Sequence, residues 1–222
     1  MAKTQINRMG YGQVEQNFVS AGRIGGVYAS RPYDGTAEIL EQGMFLKYDP
    51  ATNKCNTTGK GEWYMVYNEE EHYDEREMNH KDYAMKKSDF IDGKMYPRLL
   101  KISTGDIFTT NTFGAYKADY TGATYPGNYD GVANVNGVAN ANTTLNMAKV
   151  TTVTGVKGGS EGIALEQGDE VKVGTDGYLV KAKADDGETD NANAASDSPL
   201  FVVSKVYCMA DGQPAVKLQR IQ

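Results

Sequence analysis

The sequence predicts a mainly β protein: small antiparallel β-barrel or β-sandwich units, with an extended N-terminal arm and a partly helical insertion. Three observations predict it. One phrase is written twice, as Leu40-Glu41-Gln42-Gly43-Met44-Phe45-Leu46-Lys47 and as Leu165-Glu166-Gln167-Gly168-Asp169-Glu170-Val171-Lys172, each followed by a turn and then an apolar strand. The apolar runs are short and rich in β-branched and aromatic residues, bounded by Gly, Asp, Asn and Pro, which is how strands and their turns read. The first 36 residues carry scattered glycines with neither helical nor strand period.

The doubled phrase organises the chain, since internal repeats constrain a fold more than local propensity does. Its Gly suits a turn that requires positive φ. Chance recurrence of ordinary turn chemistry is the alternative. Four identities in a row with matching strands and turns favour duplication of a small β unit. A weaker third version is Ile102-Ser103-Thr104-Gly105-Asp106-Ile107-Phe108.

Taken in order, residues 1–36 read as an arm, net positive within an otherwise acidic chain. Such a Gly-rich segment cannot bury enough surface to fold alone. It is either a disordered tail or an extended arm that orders on a neighbouring subunit. In the second case Tyr11, Phe18, Ile24 and Tyr28 are anchors, while Arg8, Arg23 and Arg31 meet acidic surface. Gly22-Arg23-Ile24-Gly25-Gly26 lacks the preceding strand and following helix of a phosphate loop, so no nucleotide site is expected.

Residues 37–113 form the first β unit, with strands over 44–48, 63–67, 98–102 and 107–110. An acidic insertion at 69–92 interrupts it, and a short helix is predicted there from the acidic start and Lys86-Lys87 end. Both histidines, His72 and His80, follow a Glu by three residues. The remaining carboxylate helices of a di-iron bundle are missing, and two histidines with distant cysteines make a poor zinc set. Residues 114–144 are an Asn/Gly/Tyr-rich loop in which Tyr116, Tyr120, Tyr125 and Tyr129 recur. It reads as a contact loop, or as a flexible surface loop with its rings packed beneath. Residues 145–222 are the second β unit: Thr175-Asp176-Gly177 and Asp211-Gly212 mark hairpins, and the chain ends in an alternating strand over 215–221. The acidic stretch 185–191 lacks EF-hand spacing and reads as a solvated loop.

Composition narrows the function. A formal net charge of −6 over 222 residues argues against direct nucleic-acid binding, which needs a basic footprint. No apolar run is long enough for a membrane helix. The start has no apolar stretch of the secretory type, so Cys55 and Cys208 are expected as free thiols of a chain made in a cytoplasm. No nucleophile elbow or acid–base pair stands out, so the expectation is no enzyme, no cofactor and no metal.

The Gly22-Arg23-Ile24-Gly25-Gly26 stretch, the paired Leu-Glu-Gln-Gly phrases, Gly168–Val173 with Thr175–Val180, and the closing Val216–Ile221 strand together resemble the head decoration, or cement, proteins of tailed bacteriophages. The resemblance implies a small β-rich body with an extended terminus. It implies a non-enzymatic virion protein on the outer head surface, bound to the major capsid protein and to neighbouring copies of itself, and homo-oligomeric on the assembly. The insertion at 69–87 and the loop at 114–144 are not part of the resemblance. They leave a head-fibre base or a tail component as other virion roles. Outside that class the rival is a carbohydrate-binding β-sandwich module, with Trp63, Tyr64 and the loop tyrosines as stacking platforms.

Overall fold

The computed structural model of the chain describes residues 12–21, 26–68, 84–90, 95–114, 153–157, 162–184, 187–208 and 214–222. Along them run β1 (Val14–Phe18), β2 (Val27–Tyr28), β3 (Ile39–Glu41), β4 (Phe45–Asp49), β5 (Lys54–Asn56), β6 (Trp63–Val66) and β7 (Ala84–Lys86). One helical turn, α1 (Lys87–Phe90), follows. Then come β8 (Leu99–Leu100), β9 (Ile107–Thr110), β10 (Val153–Lys157), β11 (Gly162–Leu165), β12 (Glu170–Val173), β13 (Leu179–Lys181), β14 (Leu200–Cys208) and β15 (Pro214–Arg220). The protein is therefore mainly β, as the sequence predicts.

The strands form a six-stranded sheet in the order β1-β9-β15-β14-β12-β13, a five-stranded sheet in the order β2-β8-β6-β4-β5, and two ribbons, β3-β7 and β10-β11. Strand pairing in each is antiparallel. Among the described residues neither large sheet closes on itself, so the barrel alternative is not found.

The repeated phrase is one structural device used three times. Gly43, Gly105 and Gly168 have φ of 83°, 91° and 95°, and each is the third residue of a turn closed by a backbone bond. The donor–acceptor pairs are Met44 N–H to Glu41 C=O (3.3 Å), Asp106 N–H to Ser103 C=O (2.9 Å) and Asp169 N–H to Glu166 C=O (3.1 Å). Positive φ at that place is the demand of a type II turn. A side chain one residue past each glycine braces the turn by accepting the first residue's N–H: Asp106 Oδ2 at 2.7 Å, Asp169 Oδ2 at 2.8 Å and Met44 Sδ at 3.2 Å.

Each turn then docks on a partner strand through a reciprocal pair of bonds. Gly43 donates to Val66 C=O (2.9 Å) and Val66 donates to Met44 C=O (2.7 Å). Gly105 and Asp106 make the same pair with Arg220 (2.8 and 3.0 Å), and Gly168 and Asp169 make it with Val203 (both 2.8 Å). The strand register that follows is identical. Phe45, Leu46 and Lys47 oppose Met65, Tyr64 and Trp63. Ile107, Phe108 and Thr109 oppose Gln219, Leu218 and Lys217. Glu170, Val171 and Lys172 oppose Val202, Phe201 and Leu200. Leu40, Ile102 and Leu165 before the turns, and Leu46, Phe108 and Val171 after them, are all buried. Register is fixed because a one-residue slip would turn these side chains to the opposite face.

The three units differ in who supplies the neighbouring strands. In the first and third, the partner strand (β6, β14) and a hairpin strand (β5, β13) come from the same stretch of chain, with Lys47 opposite Asn56 and Lys172 opposite Val180. In the middle unit the partner is the C-terminal β15, and the place of the hairpin strand is taken by β1, with Glu15 opposite Thr109. Pairing thus crosses the division expected between the segments 37–113 and 145–222.

Residues of both large sheets meet in one core. Phe45, Phe108 and Phe201 stand at its centre, all fully buried, with ring centroids 5.6–6.2 Å apart. Phe108→Ala is expected to cost about 3–5 kcal/mol, the range for removing a buried aromatic ring. Urea unfolding measures it, and a cost within ~0.5 kcal/mol would contradict this placement.

Two expectations are corrected. The extended N-terminal arm is not supported: of residues 1–36 the described part is built into the body. β1 pairs with β9 and β2 with β8, and Val14, Val19 and Ala21 lie in the main core. Residues 1–11 and 22–25 lie outside the described residues. The arm expectation rested on missing periodicity, but β1 is short and β2 shorter, and strands of that length show no period. Their burial comes from partners remote in sequence. The partly helical insertion is not supported either. Ala84-Met85-Lys86 forms a strand against Glu41-Leu40-Ile39, and of the insertion's described residues only those of α1 are helical. Ala84 and Met85 are apolar enough to be buried there, so tertiary pairing outweighs helix propensity. Residues 69–83 and 91–94 lie outside the described residues.

Candidate interaction site

Among the described residues, a slot beside β9 holds β1. Its floor is Thr109-Thr110-Asn111-Thr112, buried although polar. Buried polar groups persist where they find partners, and here most of the partners are on the N-terminal segment. Gln13 N–H donates to Asn111 Oδ1 (2.8 Å), and Thr110 Oγ1 donates to Gln13 C=O (2.8 Å). Thr109 Oγ1 donates to Asn17 Oδ1 (2.6 Å). At one end Gly12 N–H reaches Glu41 Oε2 (3.1 Å). At the other, the Ser20 N–H and hydroxyl both donate to Asp106 Oδ1. Glu41 and Asp106 belong to the first two repeat turns, so the turns that build the body also hold the segment.

The slot continues into the Gly43 turn. Thr112 Oγ1 donates to Gln42 C=O (2.6 Å), and Gln42 Nε2 donates to Asn68 C=O (2.8 Å). A Cβ on Gly43 would stand 2.7 Å from Thr112 Oγ1 and 2.8 Å from both Thr110 Oγ1 and Val14 Cγ2. The glycine therefore serves the close approach of the slot as well as the turn.

Of the residues predicted to bind partners, Phe18 and Tyr28 are 47% and 48% exposed, on β1 and β2. These strands are the first in each large sheet. The Tyr28 ring stands edge-on to Tyr64 at 5.3 Å. The Arg31 guanidinium lies over the Tyr48 ring at 4.8 Å, an intramolecular contact. Arg8, Tyr11, Arg23, Ile24, Tyr116, Tyr120, Tyr125 and Tyr129 lie outside the described residues, as do His72 and His80. Sequence reasoning missed Gln13, Thr109, Thr110 and Asn111. The available signal was a Thr-Thr-Asn-Thr run directly continuing the apolar Ile107-Phe108 strand.

Trp63 and Tyr64 are only 5% and 8% exposed, so neither offers an open ring face to a sugar. Trp63 Nε1 donates to Asp197 Oδ1 (3.3 Å). The buried Lys47 ammonium lies 2.7 Å from Asp197 Oδ2 and 4.8 Å from the centre of the Trp63 ring. Desolvation pushes the Asp197 pKa up, but the Lys47 hydrogen bond and charge and the Trp63 N–H together outweigh it, and the carboxyl is held below its usual range. A depressed folded pKa adds stability above the ordinary value of about 3.9, and that stability is lost as pH falls through the lowered value. The wild type is therefore expected to exceed Asp197→Asn in stability at pH 7, with the gap closing in acid. A gap independent of pH in paired denaturation curves would contradict this.

Cys55 is buried, its Sγ directed at the carbonyls of Arg31 and Pro32. Burial, helped by Asp34, pushes its thiol up to about 12, so it stays protonated and inert at neutral pH. Among the described residues no group of three or more His, Cys, Asp or Glu is placed to hold a metal ion. No described helix is long and apolar enough to cross a membrane. Comparison with protein-family models, curated proteins and solved structures finds no match to this chain.

Proposed function

We propose that this chain is a non-enzymatic virion structural protein, a capsid decoration or cement protein of a phage head whose body is a two-sheet sandwich. Its partners are the major capsid protein and neighbouring copies of itself. The observation that carries the reading is the placement of Phe18 and Tyr28. Both rings are half exposed, on the strands that begin each large sheet. Partly exposed aromatics held on rigid strands are effective anchors, because little side-chain entropy is lost when they bind. Repetition over a shell multiplies such modest contacts into a firm clamp. The burial of Trp63 and Tyr64 weighs against those two rings as carbohydrate platforms; the loop tyrosines of that reading lie outside the described residues.

The test uses particles made from the genome that encodes the chain. Gradient-purified heads are expected to carry it in fixed ratio to the major capsid protein. The F18A/Y28A variant is expected to fold and to bind at least ~30-fold more weakly, taking about 1–2 kcal/mol per interface ring. Purified particles without the chain would overturn the proposal.

A further inference from the structure

The slot beside β9 has the construction of a strand receptor, and we propose that it accepts residues 12–21 of a second copy of this chain as well as its own. In the first and third repeat units the equivalent place is filled by a strand on a tight hairpin, β5 after β4 and β13 after β12. Those strands have no freedom to leave. In the middle unit the place is filled by β1, which no short connection ties to β9. What retains it is its antiparallel pairing with β9 together with the row of slot side chains: Glu41, Asp106, Thr109, Thr110 and Asn111. Four of these five, all but Thr109, bond backbone atoms of the segment, and Val14 and Val19 add apolar burial. A receptor of this kind offers the same contacts to the segment whether it comes from the same chain or from a neighbour, and a high local concentration of neighbours offsets the advantage of the tethered copy. This is the condition for exchange of an identical element between protomers.

Gly26 N–H donates to Ala21 C=O at 2.8 Å, and immediately beyond Gly26 β2 joins the other large sheet, where it is held by its own pairing with β8. The exchange rests on the proposed function for its use, since a shell holds copies side by side and would lace them through their slots. The interaction itself is a property of the purified chain.

Cysteine pairing tests it on the full-length protein, in a Cys208→Ser background with Cys55 left buried. Glu15 and Thr109 are directly opposed, a spacing that suits a disulfide. The double variant E15C/T109C is expected to close an internal disulfide with oxidised glutathione, which reports both folding and the strand in its slot. E15C and T109C chains, refolded together at high concentration and then oxidised, are expected to give a disulfide-linked heterodimer. E15C with K172C is the control, because Lys172 holds the equivalent register in the third unit, where β13 fills the place. Several-fold more heterodimer is expected with T109C than with K172C. An internal bond in the double variant without the E15C–T109C heterodimer would overturn the proposal. So would equal yields with K172C, or failure of the double variant to close. No shell enters the experiment, so its failure is separate from failure of the virion reading.

Discussion

Gly43→Ala is expected to cost about 2–5 kcal/mol, whereas the same change at Gly105 or Gly168 costs about 1–2 kcal/mol. All three glycines share a positive φ, so each alanine carries the left-handed penalty of about 1–2 kcal/mol. Only Gly43 adds a collision. Nothing lies within 4 Å of a Cβ at Gly105 or Gly168, while at Gly43 three atoms lie within 2.8 Å. Two of those atoms are hydroxyl oxygens already committed, Thr112 Oγ1 to Gln42 C=O and Thr110 Oγ1 to Gln13 C=O. Moving Thr112 aside leaves the Gln42 C=O without its hydroxyl donor, at about 1–3 kcal/mol. The third is Val14 Cγ2, so the clash also pushes β1 from its slot. Urea denaturation of the three variants gives the ranking. Equal losses at all three positions would mean that the slot does not close on the Gly43 turn.

Deleting residues 2–30 is expected to abolish cooperative folding, rather than to release a body that merely loses its contacts. The deletion removes β1 and β2, and with them Val14, Val19 and Ala21 from the main core. Two buried valines account for roughly 3–6 kcal/mol by themselves, against a total of about 5–15 kcal/mol for an ordinary domain. The slot side chains Asn111, Thr110 and Asp106 lose partners at the same time. Soluble yield and the thermal midpoint report the outcome. A truncated protein that melts at the wild-type temperature would return the segment to the status of a severable arm.

The contrast between these two regions shows what the residue pattern discloses. The repeat turns were legible because a type II turn is a local event: Gly at the third place is demanded by backbone geometry within four residues. Even the weak copy around Gly105 carries the full device, down to the Asp106 brace. The core strands were legible for a similar reason, since runs such as Leu200–Val206 and Trp63–Val66 declare burial by composition. Strand partnership was not legible. Nothing near Val14-Glu15-Gln16-Asn17-Phe18 indicates that Thr109 and Thr110 lie opposite, because register across so long a separation is set by the packed whole. The polar slot was missed for a related reason. Thr109–Thr112 look like a strand running out into a loop until their hydroxyl and amide partners are placed. Phe18 and Tyr28 were singled out as contact residues of a loose arm. They are instead exposed rings on fixed strands, a better starting point for binding because less order remains to be imposed.

Amide hydrogen exchange across residues 12–20 tests most directly the claim that the N-terminal segment completes the middle repeat unit. If the segment is β1 in its slot, the amides bonded to the body, Gln13 and Ser20 among them, exchange slowly, and the segment opens together with residues 107–110. Exchange at the rate of an unstructured chain over 12–20, with 107–110 still protected, would contradict it.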